Sequence, residues 1–286
     1  MKPLSFWAYV REREAIRIKR ERGEPPPWTN DQVLRAHSFT NVRRIDDPDT
    51  LRSLELVADG AKTPHEFVWR TYALRCLNRA ETFEKYGLPF PRSFARWRDR
   101  LDAAQARGEP IGAGQHLTFW SHAKLALERL TPDVSRRVHA STSGIDAINV
   151  LAEHRPTLYV GPYLGTLIVG DLALSPKFGG AFGSATRVPV ANGARVGLEI
   201  VHGMPPVDAH ELFNERGARS RRARSIREGA RADIVARVDR LVEAAEAKTG
   251  MRLTFMDIEN SLCEYSRYAR IAAGLGGHWR GRIRRK

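Results

Sequence analysis

The sequence predicts an all-α protein built as one helical domain. Apolar residues recur at three- and four-residue spacing in many segments. Several of those segments end on glycine or proline, as helices do. No segment shows strand alternation of any length. With 286 residues, 42% of them hydrophobic, the chain can bury a sizeable core. No linker is evident, so residues 1–286 read as a single domain, with a basic loop at 215–231 and a flexible tail at 275–286.

The elements follow in order. Ser5 to about Arg22 reads as an arginine-rich helix, stopped by Gly23 and the run Pro25-Pro26-Pro27. Thr29 or Asn30 can cap the next helix, with Val33 and Leu34 facing inward. Glu66 to Leu77 carries Phe67, Trp69, Leu74 and Leu77 and reads as a buried helix. Pro91 to about Arg107 is another, ended by Gly108. His116–Leu130, Ile145–Ala152, Leu164–Leu174 and Gly193–Val201 follow. Ala230 to Lys248 is amphipathic, with Ile234, Val238, Leu241 and Val242 on one face. Thr254 to Ala273 is the last helix, ended by Gly274. Leu158–Val160 and Thr186–Val188 are short extended candidates, and the Gly/Pro-rich stretch Ser175–Asn192 is a loop.

Composition narrows the function. The net charge is +14, and the 47 basic residues are 39 arginines and 8 lysines. Guanidinium forks bind phosphate bidentately and stack on bases, so a nucleic-acid partner is the natural reading. A GC-rich coding bias accounts for part of the Arg/Lys ratio but not for the charge. No apolar run reaches the roughly 18 residues of a membrane span, and the N-terminus lacks the apolar core of a secretory signal. Cys76 and Cys263 fit no metal spacing and suit a reducing compartment. P-loop, Rossmann and His-Glu-x-x-His patterns are absent, so no cofactor or metal is expected.

Three segments hold candidate chemistry. In Met256–Tyr265, the helical positions Asp257, Ser261 and Glu264 share a face while Glu259 points elsewhere. Carboxylates beside Leu253 and Phe255 would be desolvated, with one pKa raised, as a general base requires. The alternative is a solvated face on which the acids pair with Arg267 and Arg270. In Leu158–Gly165 a glycine turn enters an apolar helix, whose backbone N–H groups at Gly161 can hold a phosphate. Asp171 is the only acid in that helix and needs a partner or a role. In the N-terminal run, Arg11, Arg17 and Arg20 can line a phosphate surface while Phe6, Trp7 and Tyr9 pack or stack. Asn41, Arg43 and Arg44 form a polar loop cluster.

Taken together, several pieces resemble a phage-associated family, the alpha-glutamyl/putrescinyl-thymine pyrophosphorylases, or amino acid:DNA transferases of DNA base hypermodification. They are Phe6-Trp7-x-Tyr9-x-x-Glu12-Arg13-Glu14-x-Ile16-Arg17, Pro27-Trp28-Thr29, Phe39-x-Asn41-Val42-x-Arg44, Gly161-Pro162-Tyr163 to Asp171-Leu172, Gly193-x-Arg195-x-Gly197-Leu198 and Asp257-Ile258-Glu259-x-x-Leu262-Cys263-Glu264-Tyr265-x-x-Tyr268. They run in order along almost the whole chain. The stretch Gly165-Thr166-Leu167 and the end beyond Gly274 depart from the pattern.

The resemblance implies a helical fold related to helix-hairpin-helix DNA glycosylases, which flip a base from the duplex. It implies a transferase that replaces the pyrophosphate of 5-(pyrophosphoryloxymethyl)uracil in DNA with an amine. The partners would be double-stranded DNA carrying modified thymine and an amino acid or polyamine. The setting would be the cytoplasm of an infected bacterium, with no membrane. Asp257, Glu259, Glu264 and Asp171 are then the candidate catalytic acids. Arg17, Arg44 and Arg195 would hold phosphate and the leaving pyrophosphate, with Asn41 and Gly161 beside them, and Tyr265 or Trp7 would hold the uracil ring. A DNA glycosylase acting on a modified base and a non-catalytic basic DNA-binding protein are the alternatives.

Overall fold

The computed structural model describes residues 3–112, 120–154, 162–175, 178, 182–183, 186–214 and 230–275. Every regular element among them is helical. In chain order these are α1 (Phe6–Glu21), α2 (Gln32–Ala36), α3 (Pro48–Ala58), α4 (Pro64–Leu77), α5 (Ala80–Tyr86), α6 (Phe94–Ala106) and α7 (Trp120–Arg129). Then come α8 (Pro132–His139), α9 (Gly144–Glu153), α10 (Pro162–Leu174), α11 (Asn192–Val201), α12 (Pro206–Asn214), α13 (Ala232–Thr249) and α14 (Phe255–Ala272). Single 3₁₀ turns occupy Arg44–Asp46 and Pro91–Ser93. Where the sequence suggests one helical domain, the chain packs as two compact units, one of Met1–Asp47 with Val190–Lys286 and one of Pro48–Pro189. The second interrupts the first between Asp47 and Val190, so neither boundary needs a linker.

The helices α3, α5, α8 and α12 are absent from the sequence reading. Three of them, α3, α8 and α12, begin on a proline, at Pro48, Pro132 and Pro206. Proline is a breaker inside a helix, but its fixed φ and missing N–H suit the first helical position. At 7 to 11 residues, these helices are also too short for a clear apolar period. Thr186–Val188, a candidate strand, has no regular structure. Its Thr186 hydroxyl accepts the Gly144 N–H at 2.7 Å, at the start of α9. Leu158–Val160, Gly161, residues 215–229 and the tail beyond 275 lie outside the described residues.

In the Pro48–Pro189 unit, α4 is the centre. Thr63 caps its start, Pro64 opens it, and Asn78 closes it in the left-handed region at φ 47°. Every residue from Phe67 to Leu77 is buried, so the helix is covered all round. It packs against α3, α5, α7, α8 and α10. Trp69, Phe94, Trp97 and Trp120 form a chain of tilted and edge-on ring contacts between α4, α6 and α7.

In the other unit α14 is the centre, flanked by α1, α2, α11, α12 and α13. Phe6, Tyr9, Phe39, Tyr265 and Tyr268 build an aromatic core with centroid separations of 5.0–6.2 Å, within the range of favourable ring pairs. Both polar atoms of the Leu4 backbone are taken by α14. Leu4 N–H donates to the Tyr268 hydroxyl at 3.0 Å, and the Tyr265 hydroxyl donates to Leu4 C=O at 2.9 Å. The Tyr268 hydroxyl in turn donates to Asp31, the cap of α2, at 2.7 Å. The closest approach is between α11 and α14, where Gly193 and Gly197 lie against Cys263 and Leu262.

Candidate functional site

The first turn of α14 is built by a capping box. Thr254 Oγ1 accepts the Asp257 N–H at 3.2 Å, while Asp257 Oδ2 accepts from the Thr254 N–H and hydroxyl at 3.0 and 2.8 Å. The other oxygen, Oδ1, accepts the Arg44 N–H at 2.9 Å and so ties the loop before α3 to the helix start. Asp257 is buried, and both of its oxygens are occupied by backbone or capping donors. This is the geometry of an anchor.

Glu259, two residues on, is a second buried carboxyl of this helix. It is 7% exposed and accepts the Ala191 N–H at 3.1 Å. Ala191 is the cap of α11, so the carboxyl sits at the positive end of that helix. Burial pushes its pKa up to about 7, opposed by the Ala191 hydrogen bond and by the charge of Arg44. The face pairing expected from the sequence does not isolate this residue: Asp257, Glu259 and Ser261 are all buried.

Glu264 lies in a second, half-buried polar group. Burial raises its pKa, and Arg267 and Arg13 oppose the rise. Arg267 comes within 3.0 Å of the carboxylate, as the ion-pair alternative foresees. Arg13 donates to the carbonyls of Phe39 and Thr40 at 2.5 and 3.0 Å. Arg267 and Arg13 also lie over the Phe39 ring, at 4.2 and 5.7 Å from its centroid. Arg13 is absent from the sequence candidates, although its place four residues after Tyr9 on the buried face of α1 marks it.

The other candidates divide. Arg17 is held by Glu14 and Glu21 through side-chain hydrogen bonds, with Asp46 3.6 Å away, so its guanidinium is already matched to acids. Asn41 Nδ2 donates to Asp46 C=O at 2.7 Å, and Asn41 C=O accepts from Asn260 Nδ2 at 3.4 Å. Arg195 sits one turn into α11 from Ala191 and is half-buried. Tyr265 belongs to the aromatic core, with its hydroxyl bound to Leu4. Trp7 is half-buried with its ring 4.8 Å from that of Phe6. The Cys263 thiol is pushed up, by burial first. Asp171 lies in the Pro48–Pro189 unit, paired with Arg75 at 2.5 and 2.7 Å and 1% exposed. The glycine turn at Gly161 is outside the described residues.

Among the described residues, no group of three or more His, Cys, Asp or Glu can hold a metal ion. None of their helices is long and apolar enough to cross a membrane. A cavity of about 680 Å³ opens beside Tyr268, lined by Leu4, Glu12, Asn30, Asp31 and Gln32.

Comparison with known proteins follows the same span. The 5-hmdU DNA kinase of Bacillus phage SP10 is 29% identical over 152 residues, which cover 50% of this chain and 23% of that protein. The chain thus matches less than a quarter of its relative's length. No solved structure matches. Residues 3–275 match the family described as "5-hmdU DNA kinase, helical domain", which carries the kinase's name and not that of the pyrophosphorylases the motifs resemble. Because that match takes in both units, from before α1 to the end of α14, the chain belongs to the 5-hmdU DNA kinase helical-domain family.

Proposed function

We propose that this chain acts in phage-type thymine hypermodification, on DNA carrying modified thymine in the cytoplasm of an infected bacterium. In this reading it replaces the pyrophosphate of 5-(pyrophosphoryloxymethyl)uracil with an amine, from an amino acid or a polyamine. The observation that carries the reading is Glu259, a buried carboxyl with a pKa of about 7 at the start of α11. Family membership supports a modified-thymine DNA substrate, since the family and the SP10 relative are named for 5-hmdU in DNA.

The step balances simply. The amine nitrogen attacks the exocyclic methylene carbon, the carbon–oxygen bond to pyrophosphate breaks, and pyrophosphate leaves with the electron pair. The ammonium so formed loses one proton, which ionised Glu259 accepts. Arg44, whose charge acts on Glu259, and Arg195, one turn along α11, would offset charge on the leaving group. Asp257 holds the Arg44 loop in place for this. Glu264 would act as a positioning residue through Arg267. A fold of the helix-hairpin-helix glycosylase type, with a flipped base, belongs to the same proposal.

A second reading has the chain presenting 5-hmdU DNA to a phosphorylating partner, and its similarity to the SP10 5-hmdU DNA kinase favours it. Mass spectrometry of nucleosides separates the two. The protein is incubated with pyrophosphorylated DNA and a panel of amines, and 5-hmdU DNA with ATP-Mg²⁺ is incubated separately with the SP10 kinase, with and without this chain. An amine-bearing nucleoside with released pyrophosphate supports the transferase. Phosphorylation in the second arm that is faster with the chain than without it supports the presenting reading, and an abasic site in either arm would indicate glycosylase action and overturn both.

A further inference from the structure

We propose that one flank of α6, carrying Arg92, Arg96, Arg100 and Arg107, is a track for the phosphodiester backbone of DNA. The helix buries Phe94, Trp97, Leu101 and Ala104. Arg96, Arg100, Ala103 and Arg107 recur at i, i+4, i+7 and i+11 and so share one flank, away from that buried face. All four are exposed, as is Arg92 in the 3₁₀ turn that leads into the helix. Ala103, the one uncharged member, leaves room for a close approach.

Several exposed or half-buried arginines elsewhere on this unit are matched to acids. Arg52 pairs with Glu84, Arg79 with Glu81, and Arg98 with Glu128 and Asp99. On the α6 flank, Arg96 has no ion pair among the described residues. Arg92 leans on the Phe90 ring at 5.2 Å. Arg100 reaches only the Tyr86 carbonyl, at 3.5 Å. Arg107 alone has an acid, Glu109 at 2.7 Å, and Glu109 is shared with Lys85 and Tyr86. Asp99, the nearest acid on the helix itself, is taken by Arg98 on the opposite flank.

A row of like charges four residues apart is repulsive on a bare helix. An anionic partner turns that repulsion into binding. Four residues advance about 6 Å along a helix, against about 3.4 Å of duplex axis per phosphate on one strand. Arg92, Arg96 and Arg100 therefore suit alternate phosphates of a single strand, and Arg107, about 10 Å beyond Arg100, suits the third phosphate on. The row begins at a fixed point, because the Phe90 ring lies 4.0 Å from the guanidinium of Arg70, which is 2% exposed and bound to the Pro89 carbonyl.

The partner class rests on the proposed action on DNA, and the test separates the two. The full chain is titrated against a labelled duplex of roughly 20 base pairs, and against the matching single strand, over a salt series. Arg92→Ala, Arg96→Ala and Arg100→Ala together should weaken binding by roughly tenfold or more and reduce the log–log salt slope by about 2 to 3. Arg98→Ala, on the paired flank, should bind as wild type, and circular dichroism reports that each variant is folded. A folded triple variant with wild-type affinity and slope overturns the track while leaving the proposed function standing. Wild-type protein that binds neither DNA, or binds phosphatidylserine vesicles in their place, overturns both.

Discussion

Gly197 on α11 lies so close to Leu262 on α14 that a Cβ at position 197 would overlap the Leu262 carbonyl oxygen. The obstacle is backbone, so no rotamer change relieves it. Gly193, one turn earlier, faces the Cys263 sulfur, which a Cβ would meet at 2.6 Å. These two glycines let the helices touch backbone to backbone, and Glu259 reaches the Ala191 N–H across this contact.

Gly197→Ala should therefore destabilise the protein by about 1–3 kcal/mol through overpacking, despite a gain of up to about 1 kcal/mol in helix propensity. Gly193→Ala should cost less, because a side-chain sulfur can shift. Urea denaturation of the two variants checks the order. Equal stabilities would mean that the helices separate without penalty.

The sequence revealed the helical class and most long helices, because α1, α4, α6, α13 and α14 carry full apolar stripes or capping signals. It concealed helices that start on proline, since Pro48, Pro132 and Pro206 read as breakers when seen without their partners. The Gly193-x-Arg195-x-Gly197 spacing stood out, but its meaning required the facing helix. Asp257 and Glu259 were both visible as acids. Which one anchors a loop and which one stays near neutrality depends on Arg44 and Ala191, distant residues that only the fold brings to them.

The Arg75–Asp171 pair gives a test of structure against chemistry. Both side chains are buried, so Asp171→Asn leaves a guanidinium without its counter-charge and should cost about 3–5 kcal/mol. Replacing both residues, Arg75→Met with Asp171→Leu, should recover much of that stability. Thermal denaturation measures the recovery. If the double variant stays as unstable as the single one, the pair is not what Asp171 is there for.

Asp257 and Glu259 should separate in kinetics. Glu259→Gln keeps the Ala191 hydrogen bond but cannot take a proton, so the transfer rate should fall by about 10²–10⁴-fold with DNA affinity unchanged. Asp257→Ala removes the capping box and the Arg44 tether, so it should lower stability by about 1–2 kcal/mol and weaken substrate binding. In wild type the rate should rise with pH through about 7, as Glu259 ionises. A pH profile that is flat from 6 to 8 would remove Glu259 from the proton transfer.

The same carboxyl predicts a stability change with pH. Its pKa moves from 4.5 to about 7 on folding, chiefly through burial. Between those values the folded chain holds a proton that the unfolded chain has released, so stability falls as pH rises. The contribution is full below about 4.5 and gone above about 7, and the difference is on the order of 3 kcal/mol at most. Glutamine at position 259 is neutral throughout, so it removes this dependence. Glu259→Gln should match wild type near pH 4.5 and exceed it near pH 8, with the gap opening across that window. Denaturant midpoints at a series of pH values read the effect directly, and a variant less stable than wild type near pH 8 would show that the ionised carboxylate is compensated in the fold.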